Sequence, residues 1–208
     1  MKVKFICEYN GKNYCGFQRH GKGRAEKSIQ KELEAALSKF LNTSIEIVAS
    51  GRTDTGVHAF GQVCSFDYNI QGSISRIPHK ILCGANAHLP DDIVIKNLEF
   101  VDDDFHARYS AKRKTYLYRV YVSNTPSPLR DDYYYQIKNM PDLNKMREFA
   151  KENFVEDVVI EQRQDEIWFW VTGKGFKWRQ VRMMVGQLLC GRKQSVPANG
   201  LTLWSVEY

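Results

Sequence analysis

Hydrophobic and polar residues alternate at the start of the chain, which is typical of a half-buried strand. Every second residue over 3–9 is apolar or aromatic, and the residues between them are mostly charged. After Ser28, which can cap a helix, the spacing changes to three and four residues. The apolar positions of this predicted helix are Ile29, Leu33, Ala36, Leu37 and Phe40.

The same criteria predict further elements along the chain. Strands are expected at about 45–50, 62–68, 93–100, 115–122, 155–162, 166–172 and 201–208, and helices at about 74–88, 143–150 and 177–190. Both halves then follow an order of approximately strand, helix, strand, strand. Because the strands dominate and do not alternate regularly with helices, the pattern favours an α+β fold with an antiparallel or mixed sheet. The acidic run at residues 102–104 is the expected boundary between subdomains 1–104 and 105–208.

Composition and charge narrow the class of protein. The chain has 208 residues, is 43% hydrophobic, and carries 30 Lys and Arg against 24 Asp and Glu, a formal net charge of +6. This content is ordinary for a folded domain. The excess of positive charge is compatible with a polyanionic partner such as RNA and equally with a mildly basic protein that binds none.

The cysteines and the apolar segments indicate a cytoplasmic protein. Five cysteines are scattered without a C-x-x-C pair, so neither a disulfide framework nor a zinc knuckle is expected. The alternating N-terminus does not resemble a signal peptide, and no segment reaches the roughly 18–20 apolar residues that cross a bilayer. We therefore expect no membrane association.

The densest group of reactive side chains lies at residues 50–58, with the sequence SGRTDTGVH. It falls between two predicted strands, so it should form a loop on a rigid scaffold. Gly51 and Gly56 flank Asp54 and allow a sharp turn or a close approach to a ligand. Arg52 is near enough to Asp54 to interact with it if the loop bends.

Three interpretations of this group are open from the residues alone. It is a solvated turn with an incidental histidine, an active-site loop, or part of a metal site built on Asp54 and His58. The metal site lacks an obvious third ligand. A phosphate-binding P-loop is excluded because the Gly-Lys-Ser/Thr ending is missing.

The longer block at 50–63, SGRTDTGVHAFGQV, resembles the signature of the tRNA pseudouridine synthase A family. Other blocks resemble the same family in the same order and span nearly the whole chain. They are YNG at 9–11, GFQ at 16–18, SIQ at 28–30, NAHLP at 86–90, DI at 92–93, FHARYSA at 105–111, KTYLY at 114–118, GF at 175–176, VR at 181–182, VG at 185–186 and PANGL at 197–201.

The resemblance implies a pseudouridine synthase fold, with two similar α+β halves, a mainly antiparallel sheet and a catalytic cleft between the halves. It also implies an isomerase that converts uridine to pseudouridine in tRNA, in the anticodon stem-loop at tRNA positions 38–40. Asp54 matches the catalytic nucleophile. The reaction moves a bond from N1 to C5 of uracil without oxidation or imported groups, so no cofactor and no metal are expected.

The same resemblance assigns the other candidate residues. Tyr116 matches a tyrosine that contacts the target base, and Tyr118, on the same strand face, is expected to pack. Arg182, on an otherwise apolar helix, matches an arginine near the aspartate, so an Asp54–Arg182 pair is predicted. Arg52 is assigned to RNA phosphate or to the flipped-out nucleotide.

His58 and Arg108 are expected to support the site or to face RNA. Basic residues expected to contact phosphate are Lys12, Arg19, Lys22, Arg24, Lys27, Lys112, Arg113 and Lys114.

The partners implied are tRNA and a second copy of the chain, as a homodimer. Stretches usual in the family are missing after Phe154 and after Gly191. The alternative from another class is a catalytically inactive RNA-binding protein of the same fold. A metal-dependent hydrolase is disfavoured for lack of ligands.

Overall fold

The computed structural model describes residues 1–19, 27–68 and 77–208, and these form an α+β fold. The chain divides into two compact units, the first of Met1–Lys112 with Tyr208 and the second of Arg113–Glu207. The predicted subdomain boundary near residue 104 lies in the segment that precedes the second unit.

The first unit is an antiparallel sheet with two helices. Its elements are β1 (Lys2–Tyr9), α1 (Ile29–Leu41), β2 (Val48–Ala49), β3 (His58–Asp67), α2 (Ile77–Asn86) and β4 (Ile93–Val101). The strands lie in the order β4-β1-β3, and β2 pairs with β3.

The second unit has the same kinds of element. They are β5 (Arg113–Val122), β6 (Tyr135–Ile137), α3 (Leu143–Asn153), β7 (Asp157–Arg163), β8 (Glu166–Gly173), α4 (Gln180–Cys190) and β9 (Leu201–Glu207). The order is β9-β5-β8-β7, with antiparallel pairing, and β6 is a short parallel addition to β5.

The two units share one topology. If β6 is set aside, each runs strand, helix, strand, strand, helix, strand, and each places its first strand between its last strand and its third. The expectation of two similar α+β halves with a mainly antiparallel sheet is therefore confirmed.

The predicted core of the first unit is confirmed. Burial alternates along β1, with Val3, Phe5, Cys7 and Tyr9 facing inward. Ser28 caps α1 by accepting a hydrogen bond from the Lys31 backbone N–H. At the other end of α1 the residue Asn42 takes the left-handed conformation that terminates many helices.

Element boundaries differ from the predictions in several places. The strand predicted at 45–50 is only Val48–Ala49, and β3 begins at His58 rather than near 62. The helix predicted from 177 begins at Gln180, because the preceding residue is left-handed with φ +57°. The sequence pattern did not predict β6. Of the helix predicted at 74–88, residues 74–76 lie outside the described chain.

Candidate active site

The candidate acid, Asp54, lies in the loop of residues 50–57, which we call the acid loop. The loop starts where Ser50, fully buried, donates its hydroxyl to the Gln62 side chain at 2.7 Å. The amide of Gln62 returns a hydrogen bond to the Gly51 carbonyl at 2.8 Å. Its far end is a turn in which the Val57 N–H reaches the Asp54 carbonyl at 3.1 Å, with Gly56 at φ +76°. Asp54 itself is half-buried.

A second segment, residues 10–17, packs against the acid loop, and we call it the bracing segment. The Phe17 N–H donates to the Thr53 carbonyl at 3.0 Å, and the Thr55 hydroxyl donates to the Cys15 carbonyl at 2.9 Å. Just before the segment, the buried Tyr9 hydroxyl lies 2.8 Å from Thr53 Oγ1. The residues on both sides of Asp54 are therefore held.

Two glycines make this backbone contact possible. A Cβ atom on Gly11 would lie 2.0 Å from the Val57 carbonyl oxygen, and one on Gly16 would lie 2.7 Å from the Thr53 carbonyl oxygen. Gly16 also has φ +111°, a conformation that L-residues rarely adopt. Only glycine fits these positions without displacing the acid loop.

The bracing segment is itself fixed by α1. The first helical N–H groups, which have no partner within a helix, donate here to the segment: Ile29 to the Gly16 carbonyl at 3.3 Å and Gln30 to the Phe17 carbonyl at 2.8 Å. Tyr14 is buried and donates to the Asp92 carboxylate at 2.5 Å. Burial, and then this bond, raise the pKa of Tyr14 above its usual value.

His58 is a buried residue of the first unit, 2% exposed. Its Nδ1 accepts a hydrogen bond from the Gly11 N–H at 3.1 Å, so the ring proton is on Nε2. His58 is the first residue of β3, and its contact with Gly11 of the bracing segment puts it in a supporting position. Arg52, by contrast, is exposed.

In the second unit, Tyr116 and Tyr118 point to the same face of β5, as predicted. Their register partners on β8 are the fully buried Val171 and Phe169. Tyr118 is a packing residue, also as predicted, and it donates its hydroxyl to the Pro197 carbonyl at 2.9 Å. Tyr116 is 8% exposed.

Arg182 projects from the first turn of α4 and is half-buried. Its Nε donates to the Val196 carbonyl at 2.7 Å, which ties the segment after α4 back onto the helix. Gly186 allows that approach, since a Cβ there would lie 1.8 Å from the Gln194 carbonyl oxygen. The pairing of Arg182 with Asp54 joins residues of different units and stays a prediction.

The basic residues predicted to contact RNA have different surroundings. Arg108 is exposed, and its guanidinium lies 5.7 Å from the centre of the Tyr109 ring, which is 76% exposed. Arg19 instead bridges two carboxylates, Glu34 at 3.2 Å and Glu46 at 3.0 Å.

Those carboxylates raise the pKa of Arg19, and the hydrogen bond to Glu46 makes the largest contribution. Lys12, Lys27, Lys112 and Arg113 are exposed and Lys114 is half-buried. Lys22 and Arg24 lie outside the described residues.

Within the described part of the chain, no group of three or more His, Cys, Asp or Glu side chains is placed to hold a metal ion. Over the same residues, no helix has the length and apolar character to span a membrane.

Sequence reasoning missed the residues that hold the acid loop. Tyr9 and Gly16 appear in the blocks that resemble the family, but their role depends on contacts with residues about 40 positions away. The available signal was the glycine in each block, since a strict need for glycine often marks close backbone approach.

Comparison with known proteins supports the family resemblance independently of the structure. The family model for tRNA pseudouridine synthase matches residues 6–110. A protein from an Exiguobacterium species, named tRNA pseudouridine synthase A, is 34% identical over 100% of this chain and 98% of its own length. The protein of the same name from Wolbachia pipientis is also 34% identical, over 98% of this chain and 90% of its own length. Clostridium perfringens has a tRNA pseudouridine synthase A 2 that is 35% identical over 94% of this chain and 86% of its own.

The first of these alignments runs over 249 positions, whereas the chain has 208 residues. The Exiguobacterium protein therefore has at least 41 positions without a counterpart here, and the placement of the missing stretches after Phe154 and Gly191 stays a prediction. The match of the family model to half of the chain and the similarity over its whole length lead to one conclusion: this chain belongs to the tRNA pseudouridine synthase A family.

Proposed function

We propose that this protein is an isomerase that converts uridine to pseudouridine in tRNA, with Asp54 as the nucleophile. The observation that carries the proposal is the half-buried carboxylate on a loop whose two neighbouring residues, Thr53 and Thr55, are hydrogen-bonded to the bracing segment. A nucleophile must be positioned closely to be effective, and this loop has little freedom to move.

The reaction is balanced without any added group. The bond from ribose C1′ to uracil N1 breaks, the detached base turns, and C1′ bonds to C5. The C5 proton is then released to water, while N1 takes up a proton from water. Asp54 either attacks C1′ or removes a proton from the sugar, and its carboxylate must be ionised for both routes. Nothing is oxidised or reduced, so the chemistry needs neither a metal nor a cofactor.

The remaining candidates take supporting roles in this proposal. Tyr116 contacts the target base, which must leave its stack at a cost of a few kcal/mol. Arg52 and Arg108, both exposed, contact RNA, and Arg182 stabilises the charge of Asp54. His58, as a buried side chain, acts by holding the acid loop through Gly11 rather than by touching RNA.

We further propose the anticodon stem-loop of tRNA as the substrate region, a homodimer as the active form, and the cytoplasm as the compartment. The formal charge of +6 is compatible with a tRNA partner. Sedimentation velocity at low micromolar concentration, with and without tRNA, tests the dimer, and a monomer under both conditions would refute it.

Tritium release from tRNA labelled at uridine C5 tests the activity. The wild-type protein and the Asp54→Asn variant are compared, with Asp104→Asn, at an exposed carboxylate, as the matched control. We expect label release from the wild type and the control, and a loss of at least roughly 10³-fold in the Asp54 variant, with tRNA binding retained.

The alternative is an inactive RNA-binding protein of the same fold. It predicts that all three proteins bind tRNA and that none releases label.

A further test concerns the predicted pair of Asp54 and Arg182. If the guanidinium stabilises the charge of Asp54, Arg182→Met should lower kcat, whereas Arg182→Lys, which keeps a cation, should lower it less. An unchanged kcat in both variants would refute the pairing.

A further inference from the structure

The loop between β8 and α4 carries an exposed indole among positive charges. We call Lys174, Lys177, Trp178 and Arg179 the Trp178 patch, and all four are exposed. Trp178 is 74% exposed, although tryptophan is usually among the more buried residues. The other three tryptophans of the chain pack together, with ring centres 5.9 Å apart for Trp168 and Trp170 and 5.2 Å apart for Trp170 and Trp204. Trp178 is outside this cluster.

The backbone holds the patch in an unfavourable conformation. Arg179 has φ +57°, a left-handed conformation that is unfavourable for a non-glycine residue. In this conformation its guanidinium lies 4.3 Å from the indole of Trp178. A cation on one face of the ring leaves the other face to solvent, because the side chain is three-quarters exposed. Strain of this kind is concentrated at functional sites.

The charge of the patch is of one sign, because its three ionised side chains are all cations. The Glu156 carboxylate lies beside the loop, and it accepts a hydrogen bond from the Gln180 side chain. That same glutamine caps the loop by accepting a bond from the Lys177 N–H at 2.8 Å. A flat aromatic face beside several cations suits a ligand that is both polyanionic and aromatic, which is the chemistry of a nucleic acid strand.

The patch is connected to the proposed substrate residues of its own unit. Phe176, in the same loop, packs edge-on against Tyr116, with ring centres 5.2 Å apart and planes at 89°. Arg182 follows three residues after Arg179, in the first turn of α4. A base held at the patch would therefore belong to the RNA near the target uridine rather than to a remote part of it.

We propose that the Trp178 patch is a stacking subsite for an unpaired nucleobase of the RNA substrate, with the indole against the base and the three cations near its phosphates. This inference rests on the proposed function for the identity of the RNA as tRNA. The stacked base is distinct from the uridine that reacts.

An unmodified tRNA transcript is the probe. We expect Trp178→Ala to weaken its binding by about 5- to 150-fold, the range that corresponds to losing one base–aromatic stack. Trp178→Phe keeps a stacking face and should recover most of the affinity. The matched control is Leu129→Ala, since Leu129 is also in the second unit and is 94% exposed.

Fluorescence gives a second readout. Titration with tRNA should quench part of the tryptophan emission of the wild type, because the indole of Trp178 contacts a base. In Trp178→Phe that quenched component should be missing although binding persists. Quenching of equal size in both proteins would overturn the proposal.

The outcomes separate this inference from the proposed function. If the wild type releases tritium while Trp178→Ala binds tRNA with unchanged affinity, the subsite is lost and the activity stands. If the wild type releases none while Trp178→Ala loses tRNA affinity, the activity is lost and the subsite stands. An unchanged tRNA affinity with an altered elution volume in gel filtration would mean that the patch binds protein, which also refutes the proposal.

Discussion

Replacing Gly16 with alanine tests whether the bracing segment keeps Asp54 in place. The new Cβ would lie 2.7 Å from the Thr53 carbonyl oxygen and 3.2 Å from the Asp54 carbonyl carbon, where ordinary contacts are 3.4–4 Å. The two backbones must therefore separate by about 0.7 Å at this point. Because Thr53 precedes Asp54 directly, the displacement passes to the carboxylate.

The expected loss of stability is the sum of two costs. A side chain at φ +111° costs about 1–3 kcal/mol, and the steric overlap adds about 1–3 kcal/mol, both as lost stability. For catalysis, a misplacement of about 1 Å can cost on the order of 10²-fold. A shift of about 0.7 Å is expected to lower kcat by about 10- to 100-fold.

The control for the backbone cost is Gly191→Ala. Gly191 ends α4 with φ +67°, but no atom lies within 4 Å of the position that a Cβ would take there, so this variant has the strain without the overlap. Urea denaturation measures the stability of both variants. Tritium release is then measured at a temperature where both are fully folded.

We expect Gly191→Ala to lose about 1–2 kcal/mol of stability and to keep its activity. We expect Gly16→Ala to lose more stability than Gly191→Ala and most of its activity. If Gly16→Ala keeps the kcat of the wild type and is destabilised no more than Gly191→Ala, then the bracing segment does not position Asp54.

Three other predictions concern the buried hydroxyl pair of Tyr9 and Thr53, the stability of the fold at acid pH and the contact of Lys112 with RNA phosphate. Tyr9→Phe and Thr53→Val should each cost about 1–3 kcal/mol, because each removes one partner of a buried hydroxyl pair; the double variant should cost less than their sum in urea denaturation. The hydrogen bond from Arg130 lowers the pKa of Asp165, so this pair stabilises the folded state above the ordinary pKa of about 4 and ceases to do so as the pH falls below it. Asp165→Asn should therefore flatten the acid side of a plot of Tm against pH, and an unchanged slope would contradict this. Lys112→Ala should reduce the slope of log K for tRNA against log salt concentration by about 1, and an unchanged slope would exclude a phosphate contact there.

Local periodicity was sufficient for the elements in which one face is buried. The alternation over β1 is repeated in the burial of that strand. The three- and four-residue spacing of α1 is repeated in the burial of the helix except at Phe40, which is 38% exposed. Asn86 is an instructive contrast. It belongs to a recognisable sequence block, yet its side chain exchanges two hydrogen bonds of 2.8 Å with the backbone of Ile95, a pairing that no local pattern predicts.

The surroundings of charged groups were harder to predict. Arg19 follows a conspicuous block and stands next to a basic stretch, so phosphate contact was the natural expectation. In the structure it pairs with Glu34 of α1 and Glu46 of the segment before β2, and its contact with phosphate stays a prediction. Glu34 is buried, and its carboxylate also accepts hydrogen bonds from the Gln30 side chain and the Ile47 N–H. This carboxylate of α1 therefore fixes the segment before β2 and attracts the guanidinium of Arg19. Such a network depends on tertiary packing and not on spacing in the sequence.

The shared topology of the two units allows the acid loop to be compared with its counterpart in the second unit. In the second unit the corresponding strands, β7 and β8, are joined by only Gln164 and Asp165, with Gln164 at φ +57°. In the first unit the equivalent connection, between β2 and β3, has eight residues and contains Asp54. A two-residue hairpin is enough to join such strands, so the scaffold does not require the six additional residues. The acid loop is nevertheless held by three hydrogen bonds with Tyr9 and the bracing segment, and two glycines permit the contact. A merely tolerated surface insertion does not need this order. The extended connection therefore supports the role proposed for its carboxylate.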